Sequence, residues 1–250
     1  MSGDLRRAAA ALREAAAVCV LTGSGISAES GLPTFRGVNG LWRNKRVEEL
    51  ASPEGFARDP QLVWTWYEER RAAHARAQPN PGHLALAELE RRGGDFTLAT
   101  QNVDSLHLRA GSRNVLELHG NLREARCDRC GASRPLDAPL APEEIVHDCG
   151  DGARGRLRPN IVWFGEALPH DTWNRAWAAA ARASVVVVVG TSGLVNPAAL
   201  LATDAPGARA TVIEVNVEDT VVTPRADVTL RGPAAVVLPA LIETAASSAG

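Results

Sequence analysis

Ala17-Val18-Cys19-Val20-Leu21-Thr22-Gly23-Ser24-Gly25-Ile26-Ser27-Ala28 is the stretch whose reading decides the fold. A short unbroken apolar run between helical segments marks a strand buried on both faces of a parallel sheet. The run ends at Thr22-Gly23 and passes into Gly-x-Gly-x-x-Ala. That spacing lets the chain turn sharply at a strand end and bring backbone N–H groups at a helix start close to a phosphate. Residues 4–16, just before the strand, are Ala, Leu, Arg and Glu in the main, all good helix formers.

Working outward, the same apolar pattern recurs at Phe96 to Ala99, Val115 to Leu118, Ile161 to Phe164, Val185 to Val189, Thr211 to Val215 and Val228 to Leu230. Helices are expected at 82–92, 171–182 and 234–246. Strands alternating with helices predict an α/β fold, a doubly wound, Rossmann-like parallel sheet whose ligands bind at the carboxyl ends of the strands. Two stretches break the alternation. Residues 37–92 hold Trp42, Trp64, Trp66 and Tyr67 at helix-like spacing and read as a helical insertion. Residues 123–158 carry Cys127, Cys130 and Cys149 among Gly, Pro and Asp, and read as a small cysteine-containing module. The Rossmann-like domain would then comprise 1–36, 93–122 and 159–250.

Composition narrows the class. The chain has 250 residues, 45% apolar, 22% charged, with a formal net charge of -2, which gives no bulk argument for binding nucleic acid or a membrane surface. Four cysteines do not make a disulfide scaffold, and Cys19 in the first strand reads as core. Arg13 and Glu14 interrupt the apolar start, so it does not read as a signal peptide. The expectation is a soluble, cytoplasmic monomer.

The glycine loop continues as Glu29-Ser30-Gly31-Leu32-Pro33-Thr34-Phe35-Arg36-Gly37. The whole run resembles the signature of the sirtuins, the NAD-dependent protein deacylases. Thr100-Gln101-Asn102-Val103-Asp104 resembles that family's catalytic loop, Leu118-His119-Gly120 its general-base segment, and Gly190-Thr191-Ser192 with Val195 and Pro197 its nucleotide loop. The resemblance spans about residues 15–240. It implies that NAD is consumed as a co-substrate. The acyl-lysine carbonyl oxygen takes the ribose C1′ position, nicotinamide leaves, and 2′-O-acyl-ADP-ribose and free lysine result.

Each residue then has an implied role beside an ordinary one. His119 would be the general base, since imidazole titrates near neutral pH; a lone histidine reads first as a satisfied strand-end residue, and its place in Leu118-His119-Gly120 reverses that. Asn102 would hold the ribose hydroxyls, or simply satisfy a turn. Asp104 would line the nicotinamide pocket, or cap the helix starting at Ser105. The resemblance places Gly23, Ser24, Gly25, Ile26, Ser27, Ala28, Phe35, Arg36, Trp42, Gln101 and Val103 on NAD as well. It adds Gly190, Thr191, Ser192, Asn216, Val217, Glu218 and Ala234 on the phosphate and adenosine side. The usual dinucleotide acid about 20 residues past the glycines is poorly placed, because Glu48 and Glu49 fall in a helical segment. Val162-Trp163-Phe164-Gly165, followed by Glu166, resembles the edge that pairs with an acyl-lysine protein or peptide, with Gly193-Leu194-Val195 opposite.

Tyr67 and Arg70 lie three residues apart, on one helix face. A phenol beside a guanidinium can grip a carboxylate. The pair resembles the Tyr-x-x-Arg of class III sirtuins, which prefer succinyl- and malonyl-lysine. Glu68-Glu69-Arg70-Arg71 also describes a solvated face. The family's structural zinc has its counterpart in Cys127, Cys130 and Cys149. The partner of Cys149 at Cys-x-x-Cys spacing would be Gly152, so His147, Asp148 or Asp151 would have to complete the set, or zinc is lost. The leading function is an NAD-dependent deacylase for succinyl and malonyl groups, with acetyl a further candidate. ADP-ribosyl transfer or NAD hydrolysis on the same fold comes next, then a non-catalytic NAD-binding sensor, and last a dehydrogenase.

Overall fold

The computed structural model describes residues 3–34, 41–42, 45–150, 152–207 and 209–247. In chain order, α1 (Gly3–Glu14) leads into β1 (Ala17–Thr22), and a 3₁₀ helix covers Ser24–Ser30. A two-residue hairpin, β2 (Leu41–Trp42) and β3 (Lys45–Arg46), precedes α2 (Val47–Leu50), α3 (Pro53–Arg58), α4 (Pro60–Arg76) and α5 (Pro81–Arg91). Then come β4 (Asp95–Thr100), α6 (Leu106–Arg109), β5 (Val115–Glu117), β6 (Gly120–Cys127), β7 (Ser133–Pro135), β8 (Val146–Asp148) and β9 (Arg154–Ile161). The chain closes with α7 (His170–Arg182), β10 (Val185–Val189), α8 (Leu200–Thr203), β11 (Thr211–Asn216), β12 (Val228–Arg231) and α9 (Ala234–Ser247).

Six parallel strands form the large sheet in the order β12-β11-β10-β1-β4-β5. The chain runs outward from β1 to β4 and β5, then returns to lay β10, β11 and β12 on the other side. The order therefore reverses between β1 and β10, the place where loops diverge and leave a crevice. The apolar runs make both faces of this sheet dry. Val20, Leu98, Val187 and Ile213 pack with α1, α5 and α9 on one face. Cys19, Leu21, Val186 and Val188 pack with α7 and α8 on the other.

A second, antiparallel sheet (β7-β6-β9-β8) carries the cysteines. It shares a core with α3 and α4, in which Phe56, Trp64, Trp66 and Tyr67 meet Ala125, Leu157 and Trp163. Two expectations change. Ile161 to Phe164 is not a strand of the parallel sheet: β9 ends at Ile161 and is antiparallel to β6. The strand was hidden by its charge, because Arg158 is buried within it. Its guanidinium is neutralised by Glu166 at 2.5 Å and lies 3.3 Å above the Trp163 ring. In addition α5, within the stretch read as insertion, buries Ala85 and Leu86 in the core of the parallel sheet, so the helices against the cysteine sheet end with α4. No helix among the described residues is long and apolar enough to cross a membrane.

Candidate active site

The loops after β1 and β10 touch at the reversal point. The Gly23 N–H donates to the Val189 carbonyl at 3.0 Å and the Gly25 N–H to the Gly190 carbonyl at 2.8 Å. A Cβ on Gly25 would stand 2.7 Å from the Gly190 backbone, and one on Gly23 2.7 Å from the Thr191 Cβ. Both glycines are thus required by the contact between the loops, and both N–H groups are spent on it, not held free for a phosphate. The helix expected after the glycines is a 3₁₀ helix of seven residues. Within it Ile26 and Ser27 are buried, Ser24 is half-buried and Ala28 exposed.

Beside this contact the loop after β4 folds inward. The Gln101 N–H donates to the Thr22 carbonyl at 2.9 Å, and its side-chain amide donates to Thr191 Oγ1 at 3.0 Å. Asn102 is buried, and its Nδ2 donates to the Gly23 carbonyl at 3.1 Å and to Ser27 Oγ at 3.2 Å. A carbonyl only accepts, so the amide orientation is settled and Oδ1 is left as an acceptor. Ser27 Oγ gives its proton to Asp104 Oδ2 at 2.7 Å, while Asp104 Oδ1 accepts the Leu106 N–H at 2.9 Å. The helix α6 starts at Leu106 with Ser105 in the N-cap position, so Asp104 stands one residue before the expected cap; its carboxylate holds the first helical N–H and belongs to this buried cluster. Burial pushes its carboxyl up, against those two hydrogen bonds. Val103 is half-buried against the small-lobe core.

His119 follows β5. Its Nδ1 lies 3.0 Å from the Gln101 carbonyl, which can only accept. The ring is therefore the Nδ1–H tautomer, with a lone pair on Nε2. Burial lowers its pKa, only partly offset by that hydrogen bond. The geometry gives a neutral imidazole with one basic nitrogen next to the Gln101–Asn102 loop. The Val162 N–H donates to the His119 carbonyl at 2.9 Å, so the base segment is tied to the segment read as the peptide edge. In that edge Trp163 is buried and Phe164 exposed, and Gly165 takes a left-handed turn at φ +85. Gly193 also has positive φ, and Leu194 and Val195 project from the surface, Leu194 with 69% of its area exposed.

On the β10–β11 side, Asn216 Nδ2 donates to the Thr191 carbonyl at 2.9 Å and Asn216 Oδ1 accepts the Val217 N–H at 2.9 Å. Ser192 Oγ accepts from the Leu194 N–H at 3.4 Å. Ala234 opens α9 with its backbone against Gly82, and Glu218 lies on the exposed loop after β11. The structure thus links Gln101, Thr191 and Asn216 in one line of hydrogen bonds. Phe35 and Arg36 lie outside the described residues, as does the Trp42 side chain.

In the small lobe, Tyr67 is buried and its hydroxyl oxygen accepts the Trp163 indole N–H at 2.8 Å. Burial pushes the phenol up to about 12. The Arg70 guanidinium sits 5.0 Å from the centre of the Trp66 ring. Burial lowers the Arg70 pKa while Tyr67 raises it. Tyr67 therefore faces the core, and Arg70 lies half-buried at its edge, over Trp66.

The cysteine module contains a complete donor set. Ligand atoms of Cys127, Cys130, His147 and Cys149 all lie within 4.8 Å of one another. Cys127 Sγ and Cys149 Sγ are 3.8 Å apart, close to the ~3.8 Å edge that tetrahedral zinc with ~2.3 Å bonds to sulfur demands. A Cβ on Gly155 would stand 2.3 Å from Cys127 Sγ, and the Arg129 N–H points at that sulfur from 3.4 Å. Desolvation and the two neighbouring sulfurs push Cys149 up to about 12, so the cluster needs a cation to hold three thiolates. Asp148 is turned away, accepting the Gly150 N–H at 2.9 Å, and Asp151 lies outside the described residues. The four donors fit a structural zinc, which would fix β6 to the β8–β9 hairpin.

Sequence reading missed Asn80, His83 and His107, which are buried beneath Ser27, Asn102 and Thr22. Asn80-Pro81-Gly82-His83 did carry a signal, an asparagine before a proline, which opens α5 with a capping box. His107 lies in the helix whose start Asp104 marks.

The model of the Sir2 family matches residues 23–197. The chain is 53% identical to NAD-dependent protein deacylase 2 of Pyrobaculum aerophilum over 227 residues, covering 90% of this chain and 89% of that one. A solved Sir2 homologue in complex with NAD superposes with TM-score 0.88 at 45% identity, covering 98% and 94% of the two chains. A second, Sir2Af2 bound to a myristoylated histone peptide, superposes with TM-score 0.77 at 36% identity, covering 98% and 97%. Loops meeting at the sheet's reversal point, a base beside a buried asparagine, and these likenesses together place the chain in the Sir2 family, the NAD-dependent protein deacylases.

Proposed function

We propose that this deacylase removes succinyl and malonyl groups from lysine side chains of proteins or peptides. The pairing of buried Tyr67 with half-buried Arg70 carries the reading. The Trp163 indole N–H already fills a lone pair of the Tyr67 oxygen, so the phenol proton remains to be donated. With the phenol pushed to about 12 it stays protonated at working pH. A guanidinium on the same helix face supplies charge-assisted hydrogen bonds to a carboxylate. A solvated helix face would offer neither burial nor a fixed phenol.

The chemistry follows from the other residues. The acyl carbonyl oxygen forms a bond to ribose C1′ as the bond from C1′ to nicotinamide breaks, and nicotinamide leaves with that electron pair. Asn102 Oδ1 accepts a hydrogen bond from a ribose hydroxyl. His119 Nε2 then takes a ribose hydroxyl proton. Hydrolysis of the resulting adduct frees the lysine and leaves the acyl group on ADP-ribose. Gln101, Thr191 and Asn216 hold the phosphate and adenosine side. The zinc, when bound, supplies no step and holds the small lobe that carries Tyr67 and Arg70.

Purified protein incubated with NAD and matched acetyl-, malonyl- and succinyl-lysine peptides, with products read by mass spectrometry, tests this. Expected are succinyl- or malonyl-ADP-ribose, its loss in His119→Ala, and a swing toward acetyl peptide in Arg70→Met. Acetyl turnover that ignores Arg70 would sink the acyl preference. NAD consumption that leaves every peptide acylated would point to ADP-ribosyl transfer or hydrolysis instead.

A further inference from the structure

Asn102 is held from two directions, and one of them leads away from the ligand crevice into the core. Its side chain is fixed by the Gly23 carbonyl and Ser27. Its backbone N–H donates to Thr100 Oγ1 at 3.0 Å. Thr22 Oγ1 donates to the same oxygen at 2.8 Å, and His107 Nε2 lies 2.9 Å from Thr22 Oγ1. All of these side chains are buried: Thr22 and Thr100 lie at the ends of neighbouring strands, and His107 on α6 is 2% exposed.

Two hydroxyls could run in either direction, and the partnerless Nδ1 of His107 decides between them. If Thr100 donated to Thr22 and Thr22 to His107 Nε2, a buried Nδ1–H would be orphaned, so Thr22 donates to Thr100 and accepts from His107. The His107 ring then carries its proton on Nε2 and leaves Nδ1 bare. Nδ1 has no hydrogen-bond partner, and a bare buried acceptor is better tolerated than an orphaned N–H. The His83 ring packs tilted against that of His107, centroids 4.9 Å apart, so burial and packing hold the imidazole neutral and in place.

We infer that His107, through Thr22 and Thr100, is a positioning residue that sets the height of the Asn102 backbone and so the aim of Asn102 Oδ1 at the ribose. This rests on the reading of Asn102 given above. His107 touches neither ligand nor reacting atoms. It is joined to the site by three successive hydrogen bonds across two strand ends, and those strands are rigid because both faces of the sheet are packed. Displacing Asn102 by a fraction of an ångström would leave peptide and NAD binding largely intact but slow the chemical step.

The isosteres make the test sharp. Glutamine can place an amide N–H where His107 Nε2 stands, whereas asparagine reaches only the Nδ1 position and leaves Thr22 unpartnered. Wild type, His107→Gln, His107→Asn, Thr22→Val and Asn102→Ala are compared for kcat and KM with NAD and the acyl peptide that wild type prefers. Melting temperatures are recorded alongside. Expected are a fall in kcat of about 10–100-fold in His107→Asn and in Thr22→Val with peptide KM within about twofold, and recovery to within about threefold in His107→Gln. Thr100→Val stands in if Thr22→Val does not fold. Normal kcat in His107→Asn and Thr22→Val, with only the melting temperature lowered, overturns the proposal and leaves His107 a purely structural residue. Equal loss in His107→Gln and His107→Asn overturns it too. If Asn102→Ala itself turns over at the wild-type rate, the reading of Asn102 fails, and that result is separable from a failed relay, in which Asn102→Ala alone is slow.

Discussion

A backbone carbonyl decides which nitrogen of His119 is available for chemistry. The Gln101 carbonyl can only accept, so Nδ1 keeps its proton and Nε2 keeps its lone pair. Burial then lowers the pKa below its ordinary 6.5, with the hydrogen bond to Gln101 opposing less strongly. A base works only in its neutral form. The rate constant kcat/KM of wild type should therefore stay level as pH falls through 6.5 and decline only at lower pH; a decline centred at or above 6.5 would contradict the assignment. His119 and Asn102 were legible in the sequence because each lies in a short string with its own spacing. His83 and His107 were not. Each is a lone histidine in a helical stretch, and only the pairing of strand ends 78 residues apart in sequence reveals what Thr22, Thr100 and His107 do together.

Elements show where sequence patterns succeed and where charge misleads. The six parallel strands announce themselves because both faces are dry and few residues but Val, Ile, Leu and Ala fit. β9 did not announce itself, because its Arg158 is a buried cation neutralised by Glu166, and a reader expects arginine outside. The turn from β5 into β6 makes a stronger demand than either. Gly120 has φ +75, and a Cβ there would stand 2.0 Å from the Asn160 carbonyl oxygen. Neither strain can be relieved by a side-chain rotation, since the neighbour is backbone of β9. Gly120→Ala should cost more than about 3 kcal/mol of stability in a denaturant melt. A loss under about 1 kcal/mol would mean that the β6–β9 pair shifts easily, and the aim of His119 next to it would then be soft.

At the scale of the whole molecule, two lobes answer to different stresses. Acid acts on the large one. His83 is buried and its pKa is pushed down to about 4 by desolvation, so between pH 6.5 and 4 the unfolded chain binds a proton that the folded chain does not. Stability is present above 6.5 and is lost as pH falls through that window, at up to ~1.4 kcal/mol per pH unit for this one group. His83→Asn should flatten the acid limb of a pH-dependent melting curve. Metal acts on the small lobe. Among the described residues, the core containing Tyr67, Trp163 and Leu157 is the one that includes metal donors, with Cys127 inside it and Cys149 at its margin. Withdrawing zinc would leave three crowded thiols and an imidazole with nothing to hold β6 against the β8–β9 hairpin. A strong chelator should therefore release about one zinc per chain, lower the first thermal transition, and loosen the packing of Trp64, Trp66 and Trp163, read as a change in near-ultraviolet dichroism. His147→Ala should weaken zinc retention, whereas His147→Cys, which keeps four donors, should hold it. If Tyr67 and Arg70 receive the acyl carboxylate as proposed, metal loss should raise KM for a succinyl peptide before the parallel sheet melts, because both stand on that core. If chelation strips the metal while dichroism and KM stay as they were, the cysteine module is a passenger, and the order in the acyl pocket comes from the Trp163–Tyr67 and Arg158–Glu166 contacts alone.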